Sequence, residues 1–253
     1  MKLNFKKNGQ GKPLIILHGL FGSADNWLSI AKGLEKDYTI YLLDQRNHGD
    51  SGHSDQWDYQ SMAEDLKEFM EEQGIEKAHL LGHSMGGKTA MTFALQHPEM
   101  VARLIVVDIA PRFYPVHHQD ILDGLNAIDM DQLKSRKEAD DILSEYEKEI
   151  GTRQFLLKSL GRNEEGTFIW KINLPVITAQ IENVSQPIES GNSFDHPTLF
   201  VAGANSRYIQ DKDKPDIEKY FPNSNIIKIK NAGHWIHAEQ PEAMARTIQA
   251  FLG

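Results

Sequence analysis

Six short runs of the chain, Leu14 to Leu17, Tyr38 to Leu43, Ala78 to Leu81, Leu104 to Val107, Thr198 to Val201 and Asn225 to Ile229, are largely apolar rather than strictly alternating. Too short for helices and rich in β-formers, they predict strands buried on both faces, as in a parallel sheet. Between them, stretches around Trp27 to Leu34, Ser61 to Gln73, Met85 to Gln96, Asp216 to Tyr220 and Glu242 to Leu252 carry helical spacing. In the last, Met244, Ile248, Phe251 and Leu252 share one face. The alternation predicts an α/β fold with a doubly wound, mostly parallel sheet. It breaks between Pro111 and Ser190, where no strand pattern is found and Met130 to Ile150 reads as one charged helix carrying Leu133, Ile142, Leu143 and Tyr146. This predicts a helical cap over residues 112–190, inserted into a core made of residues 1–111 and 191–253. The apolar stretches Phe155 to Leu160 and Phe168 to Leu174 are expected to face inward over a pocket. Gly191, Asn192 and Ser193 mark the return to the core.

Composition narrows the function. The 253 residues, 40% hydrophobic and 25% charged, suffice for a large core in one α/β domain with an insertion. A net charge of −9, from 36 acidic and 27 basic residues, repels nucleic acid and anionic membranes, and neither is expected as a partner. The absence of cysteine excludes disulfides, thiolate metal sites and a cysteine nucleophile. Met1 to Lys12 is polar and lysine-rich, unlike a signal peptide. No run approaches the ~20 apolar residues that span a bilayer, and a cytoplasmic location is expected. Oligomeric state is not legible.

The candidate chemistry begins at Gly82-His83-Ser84-Met85-Gly86, a G-x-S-x-G pentapeptide between a predicted strand and a predicted helix. This is the layout of a nucleophile elbow, in which a serine is thrust from a sharp turn and glycines two positions away avoid collision. A serine hydroxyl needs a histidine base, and the base needs a carboxylate to fix its tautomer. In chain order the acid and then the histidine should follow the serine. His234 lies just after the last predicted strand, in a loop before the final helix, and is the expected base. His237 reads as a surface residue at a helix start, and His196 as a turn residue.

The acid is less direct. The loop after Thr198 to Val201 runs Ala202-Gly203-Ala204-Asn205-Ser206 without a carboxylate before Asp211. One strand earlier, Leu104 to Val107 ends in Asp108, beside the elbow strand. Asp108 is the expected acid, with Asp211 the alternative, and a plain capping role for Asp108 the third reading. Asp44 is expected to brace its loop with Arg46. Backbone N–H groups of Met85 and Leu20 are the expected oxyanion donors, with Phe21 as fallback, and His18 is expected to order that loop. Adjacent His117 and His118 cannot share an ion as residues at i and i+4 of a helix can, and read as cap surface. No metal site is expected. No glycine-rich phosphate or dinucleotide loop follows a predicted strand, so no cofactor is implied.

HGLFG at 18–22, DQRNHGDSGHS at 44–54, GHSMGGK at 82–88, VVDIAP at 106–111, FIWKINL at 168–174, AGANS at 202–206 and GHWIHAE at 233–239 together resemble the α/β-hydrolase esterases of the bacterial YbfF type and their mitochondrial abhydrolase relatives. The resemblance spans nearly the whole chain. It implies a catalytic Ser84, Asp108 and His234, a second serine at Ser206, and hydrolysis of short to medium carboxylic esters or acyl thioesters, with a small-molecule ester as partner. Phe155, Trp170 and Ile172 from the cap, with Phe21, Met85 and Trp235 from the core, are the expected acyl pocket, set against plain cap packing. An acyl-CoA substrate would call on Arg46, Lys88, Arg112, Lys171 or Arg207, otherwise read as solvated. A competing reading of another class is a ligand sensor that keeps the triad but signals through its cap.

Overall fold

The computed structural model describes all 253 residues. Strand β1 (Phe5–Gly9) is followed by β2 (Lys12–Leu17), helix α1 (Leu28–Leu34), β3 (Tyr38–Leu43), α2 (Tyr59–Glu72), β4 (Ala78–His83), α3 (Met85–Gln96) and β5 (Val101–Val107). Next come α4 (Gln119–Asn126), α5 (Arg136–Leu143), α6 (Ile150–Leu156), a hairpin of β6 (Leu160–Arg162) and β7 (Phe168–Trp170), and α7 (Leu174–Gln180). The chain closes with β8 (Thr198–Gly203), α8 (Lys214–Tyr220), β9 (Ser224–Ile229), α9 (Ile236–Glu239) and α10 (Pro241–Leu252).

The main sheet has seven strands in the order β1-β3-β2-β4-β5-β8-β9, with only β1 antiparallel. Its central strands bury both faces. Ile15, Leu17, Leu80, Leu104 and Val106 face α2, α3 and α8, whereas Leu14, Ile16, Leu81, Ile105 and Val107 face α1 and α10. That two-sided burial is why these runs are apolar without clean alternation.

Three elements differ from expectation. β1 is an edge strand of sequence FKKNG, mostly exposed, and carries no apolar run to announce it. The segment expected to be mainly helical, with no strand pattern, contains the β6/β7 hairpin, paired Leu160 to Trp170 through Arg162 to Phe168. The single helix read over Met130 to Ile150 is only Arg136–Leu143, because Ser135 caps its start by accepting from the Glu138 N–H and the chain turns after Leu143. A third apolar cluster, including Phe21, Tyr59, Met62 and Met85 from the core with Leu122, Leu125, Leu143, Ile172 and Ile177 from the β5–β8 segment, seats that segment over the elbow.

Candidate active site

Ser84 stands between β4 and α3 with φ 51° and ψ −117°, a conformation few non-glycine residues adopt. The flanking glycines make the turn passable. A Cβ on Gly82 would lie 2.1 Å from the Gly86 carbonyl oxygen, and one on Gly86 2.5 Å from those of Leu17 and His18. The Ser84 N–H is anchored to the Val107 carbonyl at 3.0 Å, tying the turn to the neighbouring strand.

Parallel pairing of β4 with β5 and of β5 with β8 brings Asp108 to the same sheet edge. Asp108 also has a positive φ, 51°, and is fully buried. Its N–H donates to Val201 O at 2.8 Å, its Oδ1 accepts from the Gly203 N–H at 3.0 Å, and its Oδ2 accepts from the Ser206 hydroxyl. The same Oδ2 lies 2.8 Å from His234 Nδ1, and His234 Nε2 lies 3.0 Å from Ser84 Oγ. Asp211 is not brought here. It is fully exposed, 3.6 Å from Lys228 Nζ, because the chain after β8 carries it away from the rim.

Neighbours fix the imidazole of His234 on several sides. Tyr208 stacks on it with ring centres 4.0 Å apart and 19° between planes, and the Tyr208 hydroxyl is 2.7 Å from His117 Nε2. His83 Nε2–H donates to the His234 carbonyl at 2.9 Å. His237, expected at the surface, is instead buried and stacked on Trp27 at 4.6 Å, and its pKa is pushed down to about 3 by burial. Tyr208 carries no motif signal. Its position two residues beyond Ser206 is the only hint in the sequence.

The loop after β2 carries one candidate oxyanion donor, Leu20, and the start of α3 the other, Met85. The Phe21 N–H donates to His48 Nε2 at 3.2 Å, whereas the Leu20 and Met85 N–H groups, both beside Ser84, have no such partner. Phe21 itself sits at φ 62°. His18 orders this loop: its Nδ1–H donates to Gly19 O at 2.8 Å and its Nε2 accepts from the Gln45 N–H at 3.0 Å. Burial pushes His18 down and His48 to about 3, so both stay neutral donors and acceptors. Asp44 braces the region, but not through Arg46. It accepts from the N–H groups of Ala24 and Asp50 and from the Asn4 amide, while Arg46 is buried in an ion pair 2.6 Å from Asp65.

Two small cavities meet at Ser84. One of about 40 Å³ is lined by Tyr59, Met85, Ile109, Tyr114, Val184 and Tyr208, among others. The other, of about 50 Å³, is lined by Phe21, Ile121, Phe155, Leu156, His234 and Trp235, among others. Leu20 and His118 reach both. Trp170 and Ile172 line neither: Ile172 is 2% exposed within the apolar cluster beneath the β5–β8 segment, and Trp170 packs against that cluster. The bulk of those side chains is consumed in giving the small hairpin a core. His118, read as cap surface, is instead a wall of the site, its pKa lowered to about 3 by burial. Larger clefts of about 520 and 220 Å³ lie away from Ser84 and its partners.

A deeply held carboxylate, an imidazole and a hydroxyl in one hydrogen-bonded line, with two unpartnered N–H groups alongside, can activate an alcohol and receive an oxyanion. Residues 12–241 match the family described as alpha/beta hydrolase fold. The chain is 36% identical to esterase YbfF of Escherichia coli, over all of this chain and 99% of that one. It is 40% identical to the sn-1-specific diacylglycerol lipase ABHD11 of Xenopus laevis, over 96% of this chain and 80% of that one. Among solved structures, one described as a marine microorganism esterase superposes with a TM-score of 0.96 at 46% identity, covering 99% of both chains. No helix is long and apolar enough to cross a membrane. Fold, near full-length identity and superposition agree that the chain belongs to the alpha/beta hydrolase fold family and is a hydrolase of its esterase and lipase branch.

Proposed function

We propose that this protein is a serine carboxylesterase for short acyl chains, working through an acyl-enzyme. The observation that carries the reading is the line from Asp108 Oδ2 through His234 to Ser84 Oγ, at 2.8 and 3.0 Å. His234 takes the Ser84 proton as Oγ attacks the ester carbonyl, and Asp108 holds the tautomer and stabilises the imidazolium. The carbonyl oxygen becomes an oxyanion received by the N–H groups of Leu20 and Met85. His234 then returns the proton to the leaving alcohol, and water repeats the sequence to release the acid. The leaving oxygen must come within reach of His234 Nε2, so the alcohol occupies the cavity lined by His234, Phe21, Phe155 and Trp235. The acyl group occupies the cavity behind Met85.

Size supports a short acyl group. A water needs roughly 10–15 Å³ of such space, so about 40 Å³ holds three or four heavy atoms. In this reading residues 112–190 act as a cap that closes both cavities. The test is a panel of p-nitrophenyl acetate, butyrate, hexanoate and octanoate, alongside acetyl and octanoyl thioesters. The expected optimum is acetate or butyrate, with oxygen esters ahead of thioesters. An optimum at octanoate, or at a thioester, overturns the corresponding part of the proposal.

A further inference from the structure

Lys88 lies one turn into the elbow helix, its N–H donating to the Ser84 carbonyl at 3.1 Å, and only 1% of it is exposed. Far from being solvated, its ammonium ends among two carbonyl oxygens and two aromatic faces. It donates to Gln186 O and, at 3.4 Å, to Ser185 O, and it lies 5.5 and 5.1 Å from the ring centres of Tyr59 and Tyr114. No carboxylate is within ion-pair distance. A buried cation without a counter-charge is costly, and one that persists must be held by what surrounds it. Burial pushes its pKa down to about 7, with Arg112 also lowering it.

What Lys88 holds is a wall of the cavity behind Met85. Tyr59, Tyr114, Val184 and Ser185 all line that cavity. The Tyr59 hydroxyl donates to Val184 O at 2.7 Å, and the Tyr114 N–H donates to Ser185 O at 2.9 Å, so carbonyls 184, 185 and 186 are each tied to the core. This strip is where the chain leaves the β5–β8 segment to rejoin the sheet. We propose that Lys88 is a specificity-determining residue: by clamping the Ser185 and Gln186 carbonyls against Tyr59 and Tyr114, it fixes the far wall of the acyl cavity and so limits acyl length. The proposal rests on the esterase reading.

Lys88→Met keeps an unbranched apolar stem and deletes the ammonium with its donors. The readout is the ratio of kcat/KM for p-nitrophenyl octanoate to that for acetate, which a general loss of activity leaves unmoved. The ratio is expected to rise about tenfold or more, since each methylene admitted is worth about that much or more. A folded Lys88→Met whose ratio stays within about twofold of wild type overturns the proposal. Should that variant fail to fold, Lys88→Gln, which keeps a polar end but draws its donor back from the Ser185 and Gln186 carbonyls, is expected to raise the ratio about threefold; an unchanged ratio there overturns it equally. Rates of Ser84 labelling by ethyl and octyl fluorophosphonates read the same wall without turnover. Wild-type protein that is labelled but hydrolyses no ester defeats the esterase reading alone, while a size preference unchanged by Lys88→Met defeats the wall.

Discussion

At the scale of single residues, the acid is the sharpest question. Asp108 is buried and held by Gly203 and Ser206, whereas Asp211 is fully exposed beside Lys228. Asp108→Asn should therefore lower kcat by on the order of 10⁴ by stabilising the wrong imidazole tautomer, while Asp211→Asn leaves steady-state ester kinetics unchanged. Equal losses in the two variants would refute the assignment. Tyr208, which stacks on His234, was not singled out in the sequence. Tyr208→Leu removes the ring stacked on His234 and should cost about 10- to 100-fold in kcat through misplacement of the base. Tyr208→Phe keeps the ring, loses only the bond to His117 and should retain most of kcat. Comparable losses in both would assign the effect to the hydroxyl instead. Ser84, Asp108 and His234 could be proposed from the sequence because each lies at or shortly after the carboxyl end of a predicted strand. Trp170, Ile172 and His118 were not, because whether an aromatic or imidazole lines a cavity depends on packing partners distant in sequence.

At the scale of elements, the elbow depends on close backbone approach. Gly86→Ala places a methyl against the carbonyls of Leu17 and His18, which belong to β2 and its loop and cannot retreat without moving the Leu20 N–H, a proposed oxyanion donor. A loss of roughly 3 kcal/mol or more is expected from such overpacking, seen as a lower urea midpoint, together with loss of ester turnover. Unchanged stability would mean that the turn relaxes more than its contacts suggest. Five of the six strands expected to be buried could be read because two-sided burial writes itself as apolar runs. The sixth, β9, is an edge strand in which only Ile229 is buried, so its isoleucines mark it but the burial expected of it is not there. The edge strand β1 could not, since one antiparallel partner and a solvated face leave FKKNG looking like a polar terminus. The three-residue strands β6 and β7 are too short to show a period; their turn is marked instead by Asn163, whose side chain accepts from the N–H groups of Glu165 and Thr167.

Across the whole molecule, buried histidines set the response to acid. His48, His83 and His237 are neutral in the folded protein, with pKa near 3 for His48 and His237 and depressed well below the ordinary 6.5 for His83, in each case chiefly by burial. In the unfolded chain they protonate near 6.5. Their stabilising contribution is thus complete above about pH 6.5 and is lost as pH falls toward about 3, at up to about 1.4 kcal/mol per pH unit for each. The thermal midpoint should drop steeply from pH 7 to pH 5, and a flat profile over that range would contradict the buried, neutral assignment. The convergence of three distant stretches of chain at one rim was anticipated from the order of the motifs; the packing of the β5–β8 segment, which sets the two small cavities, was not.

An acyl-enzyme requires covalent chemistry at Ser84. Turnover of p-nitrophenyl acetate quenched in acid, followed by peptide mapping, should place an acetyl group on Ser84 of the wild type and nowhere in Ser84→Ala, which releases no burst of nitrophenol. A quenched wild type acetylated elsewhere, or Ser84→Ala turning over at the wild-type rate, would contradict it.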